Sequence, residues 1–182
     1  MGVKCYFLRL LKKIYGDEKI NVKSEPIVYV GLGSNLDNPI HQVKQALLAL
    51  DALPQTYLKR QSALYRSKPL GPQNQPDYIN AVAMLITGLL PLDLLDMMQT
   101  IENKQGRIRT AQRWGARTLD LDLLLYDNQK LQHPRLTLPH PGLSNRAFVL
   151  YPLYDIAPDL ILPDGKKLSV MCQSVENDLS IL

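Results

Sequence analysis

From Pro26 onward the sequence predicts an α+β fold: a ferredoxin-like βαββαβ core, with a mostly antiparallel sheet and helices packed on it as three α/β/α layers. Three observations predict it. Short runs rich in β-branched and aromatic residues alternate with stretches of helical apolar periodicity in the order β-α-β-β-α-β. The chain has 182 residues, 46% of them hydrophobic, which is enough for one domain to bury most of its apolar surface without disulfides. No internal repeat and no low-complexity tract points to another architecture.

Ile27-Val-Tyr-Val-Gly-Leu reads as the first strand, with GLGSNL at 31–36 as a tight turn. Asp37 or Asn38 then caps a helix opened by Pro39, whose apolar residues are Val43, Ala46, Leu47, Leu50 and Leu53. Tyr57 to Ser67 and Tyr78 to Thr87 read as two strands, separated by KPLGPQNQPD, which three prolines stiffen. Pro91 opens a second helix with Leu94, Leu95, Met98 and Ile101 on its apolar stripe, and Gly106 closes it. Residues 107–119 hold Arg107, Arg109, Arg113 and Arg117 and no acid; a connection of that length is expected to act as a functional lid. A strand over 119–126 follows. A Pro-rich turn at Leu138-Pro-His-Pro-Gly, a helix near Ala147 to Ile156, and a hairpin at Asp164-Gly165 before a last helix complete the chain.

Net charge is +4 with a pI near 9.0, which suits an anionic substrate as well as it suits nucleic acid. Cys5 and Cys172 have no metal or disulfide spacing, so a reducing, cytoplasmic location is expected. No apolar run approaches the roughly 20 residues that span a bilayer. Residues 1–25 stand apart, with six Lys or Arg against three Asp or Glu and a weak amphipathic stripe at Phe7, Leu8, Leu10, Leu11 and Ile14. They are read as a loosely ordered extension with no membrane role, and residues 26–182 as the domain.

The stretch RWGARTLDLDLLLYD, 113–127, reads as a buried strand yet carries Asp120 and Asp122. Side chains two apart on a strand share a face, so these carboxylates repel each other and need a cation. Ion pairs with the neighbouring arginines would supply one. So would Mg²⁺, which takes one or two carboxylates together with substrate phosphates, and the four upstream arginines favour this second reading, in a site that offsets polyphosphate charge. The GLGSNL segment lacks the third glycine of a dinucleotide fingerprint, and no GxxxxGK[ST] occurs, so any ATP is held without a P-loop. His140, between two prolines, is a candidate for phosphate or ribose. Asn80 beside Tyr78 suits the edge and face of a heterocycle.

These segments resemble the 6-hydroxymethyl-7,8-dihydropterin pyrophosphokinase family of folate biosynthesis. The resemblance rests on GLGSNL, LGPQNQPDYIN at 70–80, GRIRTAQRWGARTLDLDLLLYD at 106–127, and LTLPHP with NRAF between 136 and 148. It implies diphosphate transfer from ATP to a pterin alcohol, with AMP as the other product. Asp120 and Asp122 would hold two Mg²⁺ ions, with Arg107 and Arg117 as the catalytic arginines. Around ATP it places Gln99, Glu102, Arg109, Arg117, Leu123, Arg135, Thr137, His140 and Arg146. Around the pterin it places Ser67, Lys68, Leu70, Tyr78, Asn80, Trp114 and Phe148, with Tyr78 and Phe148 stacking on the rings. Lys68, Thr110, Ala116 and Pro141 depart from the family's commoner residues. A monomer is expected. A rival reading, a nucleic-acid-binding α+β module using the arginine segment, requires aromatic residues displayed on an open sheet and gives no reason for carboxylates in the strand.

Overall fold

The structure, a computed structural model, describes residues 25–108 and 115–182. In chain order its main elements are β1 (Ile27–Ser34), α1 (Pro39–Asp51), β2 (Thr56–Gln61), β3 (Tyr65–Ser67), β4 (Tyr78–Thr87), α2 (Pro91–Lys104) and β5 (Asp120–Tyr126). The short strands β6 (Leu131–His133) and β7 (Leu136–Leu138) follow, then α3 (Ala147–Ile156), α4 (Leu168–Gln173) and β8 (Ser180–Ile181). The main sheet runs β5-β1-β4-β3-β8, with β2 also on β4, and every pairing is antiparallel. With β2 and β3 taken as one broken strand, this is the βαββαβ order the sequence predicts.

The sheet's two faces follow from strand alternation. Val28, Val30 and Leu32 of β1, Ile79, Ala81, Ala83 and Leu85 of β4, and Leu121 and Leu123 of β5 form one apolar core with the buried stripes of α1 and α2. Tyr29, Val82 and Met84 turn to the other face and pack with α3 and α4. Helices therefore cover both faces, and no open aromatic platform exists among the described residues. A bulge sets Tyr29 opposite Leu125 but Val30 opposite Leu123, leaving Leu124 as the extra residue. This explains the three consecutive leucines: Leu123 joins the first core, while Leu124 and Leu125 both join the second.

The structure departs from the sequence reading at four points. GLGSNL is not a turn at its start: β1 continues through Gly31 and Gly33 to Ser34, and the positive φ values fall at Asp37 (51°) and Asn38 (62°). Asn38 occupies the N-cap position with Pro39 after it, but its side chain makes no capping hydrogen bond. The strand read over 57–67 is interrupted, because the Ala63 N–H donates to Asp155 Oδ2 at 2.8 Å instead of joining the ladder. The Pro-rich turn is preceded by an unpredicted β6–β7 hairpin that turns at Pro134 and Arg135. Residues 1–24, which hold nearly all of the extension, and the middle of the arginine segment lie outside the described residues.

Candidate active site

On the second face, beyond the part α3 covers, β1 presents only Gly31 and Gly33. Gly33 lies opposite Asn80 of β4 on one side and Asp120 of β5 on the other; Gly31 lies opposite Val82 and Asp122. Without side chains there, a cleft of about 290 Å³ opens over bare strand, walled by Tyr78 and Asn80 on one side and by the two aspartates on the other.

The end of α2 delivers the first cation. Gly106 has a left-handed φ of 78°, its N–H donates to the Asn103 carbonyl at 3.1 Å, and the Arg107 N–H donates to the Glu102 carbonyl at 3.0 Å. This Schellman turn reverses the chain and sets Arg107 beside the helix it has just left. The Arg107 guanidinium donates to Glu102 Oε1 and Asp120 Oδ1 and, at 3.3 Å, to the Leu119 carbonyl. Glu102, 2% exposed, also accepts the Leu121 N–H at 2.8 Å, so one buried carboxylate fixes both Arg107 and the start of β5. Arg117 Nη1 donates to Asp120 Oδ2 at 2.7 Å.

Sequence reasoning missed what holds Arg117. Asn35, 2% exposed, accepts the Arg117 N–H on Oδ1 at 2.8 Å and donates its own N–H to the Arg117 carbonyl at 3.0 Å. Its amide nitrogen donates to Gln75 Oε1 at 3.1 Å and the Pro76 carbonyl at 3.0 Å, tying the Pro-rich loop to the arginine segment. The available signal was the Gly-Ser-Asn sequence itself, since a polar residue buried after a strand needs partners.

The two aspartates are unlike. Arginines supply the cation for Asp120, so metal is not the sole answer to the charge the sequence posed. Asp122 has no arginine partner within 4 Å among the described residues; its nearest ion-pair group is His140 Nε2, at 3.9 Å. Burial and the Asp120 charge raise its pKa from the usual carboxylate range to about 7. His140 accepts the Gly142 N–H on Nδ1 at 3.0 Å, which leaves the proton of its neutral form on Nε2, facing Asp122. Burial and then Arg146 lower the His140 pKa.

A second cavity, about 260 Å³, lies across this pair and shares Asp122 and His140 with the first. Of the residues expected around ATP, Leu123, Arg135 and Thr137 line it, and the Arg135 guanidinium is ion-paired with Asp96. Arg146 lines the first cleft. Gln99 and Glu102 line neither cavity, and Glu102 serves to hold Arg107 and β5. Of those expected around the pterin, Ser67, Lys68, Leu70, Tyr78, Asn80 and Phe148 all line the first cleft. Asn80 donates to Ser67 Oγ at 2.9 Å, and the Tyr78 hydroxyl donates to the Gly115 carbonyl at 3.0 Å. Arg109 and Trp114 lie outside the described residues.

Among the described residues no cluster of three or more His, Cys, Asp or Glu converges, so an all-protein metal cage finds no site there. The paired carboxylates, open to the cleft, are instead the donor set that suits Mg²⁺, which keeps waters and takes phosphate oxygens.

The family model described as 7,8-dihydro-6-hydroxymethylpterin-pyrophosphokinase (HPPK) matches residues 29–158. A protein of Haemophilus influenzae named 2-amino-4-hydroxy-6-hydroxymethyldihydropteridine pyrophosphokinase is 56% identical over 138 residues, 76% of this chain and 86% of that protein. One of the same name from Pseudomonas aeruginosa is 58% identical over 141 residues, 78% of this chain and 86% of its own length. The solved structure described as HPPK-DHPS in complex with substrates superposes with a TM-score of 0.67 at 12% identity, a likeness of fold alone. That match covers 84% of this chain and 43% of the other, so this chain spans less than half of that solved protein. The chain belongs to the HPPK family.

Proposed function

We propose that the joined cavities are where this chain carries out its family's reaction, the transfer of diphosphate from ATP to the hydroxymethyl group of 6-hydroxymethyl-7,8-dihydropterin in folate biosynthesis. The observation that carries the assignment is that two cavities meet at Asp122 and His140, with two arginines beside them. A donor in one and an acceptor in the other would bring their reacting atoms together at the carboxylates. The pterin hydroxyl oxygen attacks the β-phosphorus of ATP and releases its proton to solvent, the bond from that phosphorus to the α–β bridging oxygen breaks, and AMP leaves with that oxygen.

The chain's own part is positioning and charge. Tyr78 and Phe148 offer ring faces to a flat heterocycle, and Asn80, its amide nitrogen occupied by Ser67, keeps Oδ1 to accept from the heterocycle's edge. Arg107 and Arg117 are held at Asp120 through ion pairs that phosphate oxygens can replace, so both can take up negative charge as the diphosphate moves. Asp120 and Asp122 would hold Mg²⁺, two ions by the family resemblance, which when bound offsets phosphate charge and orients the reacting oxygens. Both cavities are built from one chain, so a monomer suffices, and a cytoplasmic location suits these substrates. Incubation with ATP, Mg²⁺ and the dihydropterin, followed by separation of nucleotides, tests the reading: AMP supports diphosphate transfer, whereas ADP would replace it with ordinary phosphate transfer.

A further inference from the structure

Gly142 is buried beside the first cleft, yet its backbone does not call for glycine: φ is −83° and ψ 2°, values open to any residue. The reason for glycine is space. A Cβ placed there would lie 2.5 Å from Arg146 Cζ, 2.6 Å from Nε and 2.8 Å from Nη1, so the guanidinium occupies the volume of a side chain at 142. A 3₁₀ turn over Leu143–Asn145 brings Arg146 back over Gly142. Arg146 Cζ also stands 5.9 Å from the centroid of the Phe148 ring, within cation–π range. Among the described residues Arg146 makes no ion pair within 4 Å. Its guanidinium therefore lies in the space that a missing side chain leaves, within reach of an aromatic face.

We propose that Gly142 is a positioning residue for the reaction: it is the slot that holds the Arg146 guanidinium at the cleft, ready for an anionic phosphate. The same residue orients His140 through its N–H, but that contact belongs to the backbone and survives substitution. A methyl group at 142 would therefore displace Arg146 while leaving His140 and the fold in place, because the clashing atoms are the far end of a flexible side chain. The inference rests on the reading of Arg146 as an ATP-binding residue.

The test compares wild type, Gly142→Ala, Arg146→Ala and the double variant, each as the full chain, by calorimetric titration with Mg²⁺ and a non-hydrolysable ATP analogue and by thermal melting. Gly142→Ala should melt at or above the wild-type temperature, since alanine at a compatible φ restricts the unfolded chain. It should weaken nucleotide binding towards the Arg146→Ala value, roughly tenfold, the worth of one charge-assisted hydrogen bond. In the Arg146→Ala background the alanine at 142 should change affinity less than about twofold, because no guanidinium remains to displace. Wild-type affinity in Gly142→Ala alongside weakened binding in Arg146→Ala would overturn the slot. So would a loss that persists in full in the double variant, or a lowered melting temperature for Gly142→Ala. Wild-type affinity in Arg146→Ala would instead remove the ATP reading of Arg146, and the inference with it.

Discussion

The two faces of the sheet are built by the same strands and do opposite things. Toward α1 and α2, β1, β4 and β5 present Val, Leu, Ile and Ala in an unbroken apolar core. Toward α3 and α4, the same strands present Tyr29, Val82, Met84 and Leu124 for part of their length. Beyond that stretch they present Gly31, Gly33, Asn80, Asp120 and Asp122. Period-two alternation lets a seven-residue strand such as β5 serve both, with Leu121 and Leu123 anchoring it while Asp120 and Asp122 face the cleft. The second face packs under α3 and α4 for part of its length, so only its remaining stretch carries neighbouring carboxylates and an uncovered floor.

The sharpest way to break this contrast is to substitute neighbours. Asp120→Asn or Asp122→Asn should lower turnover by about 10³ or more, as expected when charge stabilisation at a transferring phosphate is lost. Steady-state kinetics with ATP and the dihydropterin checks this. Leu121→Ala, one residue away on the packed face, should cost about 2–5 kcal/mol of stability with turnover of the folded fraction largely kept. Denaturant melts and specific activity report both; a Leu121→Ala protein that is stable yet inactive would break the division between faces.

The pH dependence sharpens it. Asp122 has a folded pKa near 7 against an ordinary value of 3.8, so between about pH 4 and 7 the folded state binds more protons than the unfolded one. Its contribution to stability is full below about pH 4 and is lost as pH rises through 7. Melts of the ligand-free protein across this window should show that decline, and Asp122→Asn should flatten it. The smallest expected effect is Gly33→Ala. The added Cβ meets Asn80 Oδ1 at 3.5 Å and Tyr78 Cδ1 at 3.9 Å, ordinary contacts, so stability should change by less than about 1 kcal/mol. The raised floor should increase KM for the pterin more than KM for ATP.

Most of the packed face was legible, because periodicity in Val43, Ala46, Leu47 and Leu50 or in Leu94, Leu95, Met98 and Ile101 reports burial directly. The aspartate pair and Gly106 were legible for the same kind of reason, as local breaks in a pattern. What escaped depends on contacts between distant segments. Gly31 and Gly33 read as a turn because glycine normally marks one, and only the register against Asn80 and Asp120 shows that they leave room in a strand. Asn35 escaped because its partners lie at 75, 76 and 117. The β6–β7 hairpin escaped because two three-residue strands around Pro134 and Arg135 have no period to detect.

Thermal melting of ligand-free Asp120→Asn and Asp122→Asn, set beside their turnover, tests the account most directly. Asp120 is held by Arg107 and Arg117, so its variant should lose stability, by about 1–2 kcal/mol for a half-buried pair. Asp122 has no such partner among the described residues, so its variant should melt at or above the wild-type temperature while losing turnover by orders of magnitude. An Asp122→Asn protein that melts lower and still turns over would contradict the claim that this face holds its carboxylates for chemistry.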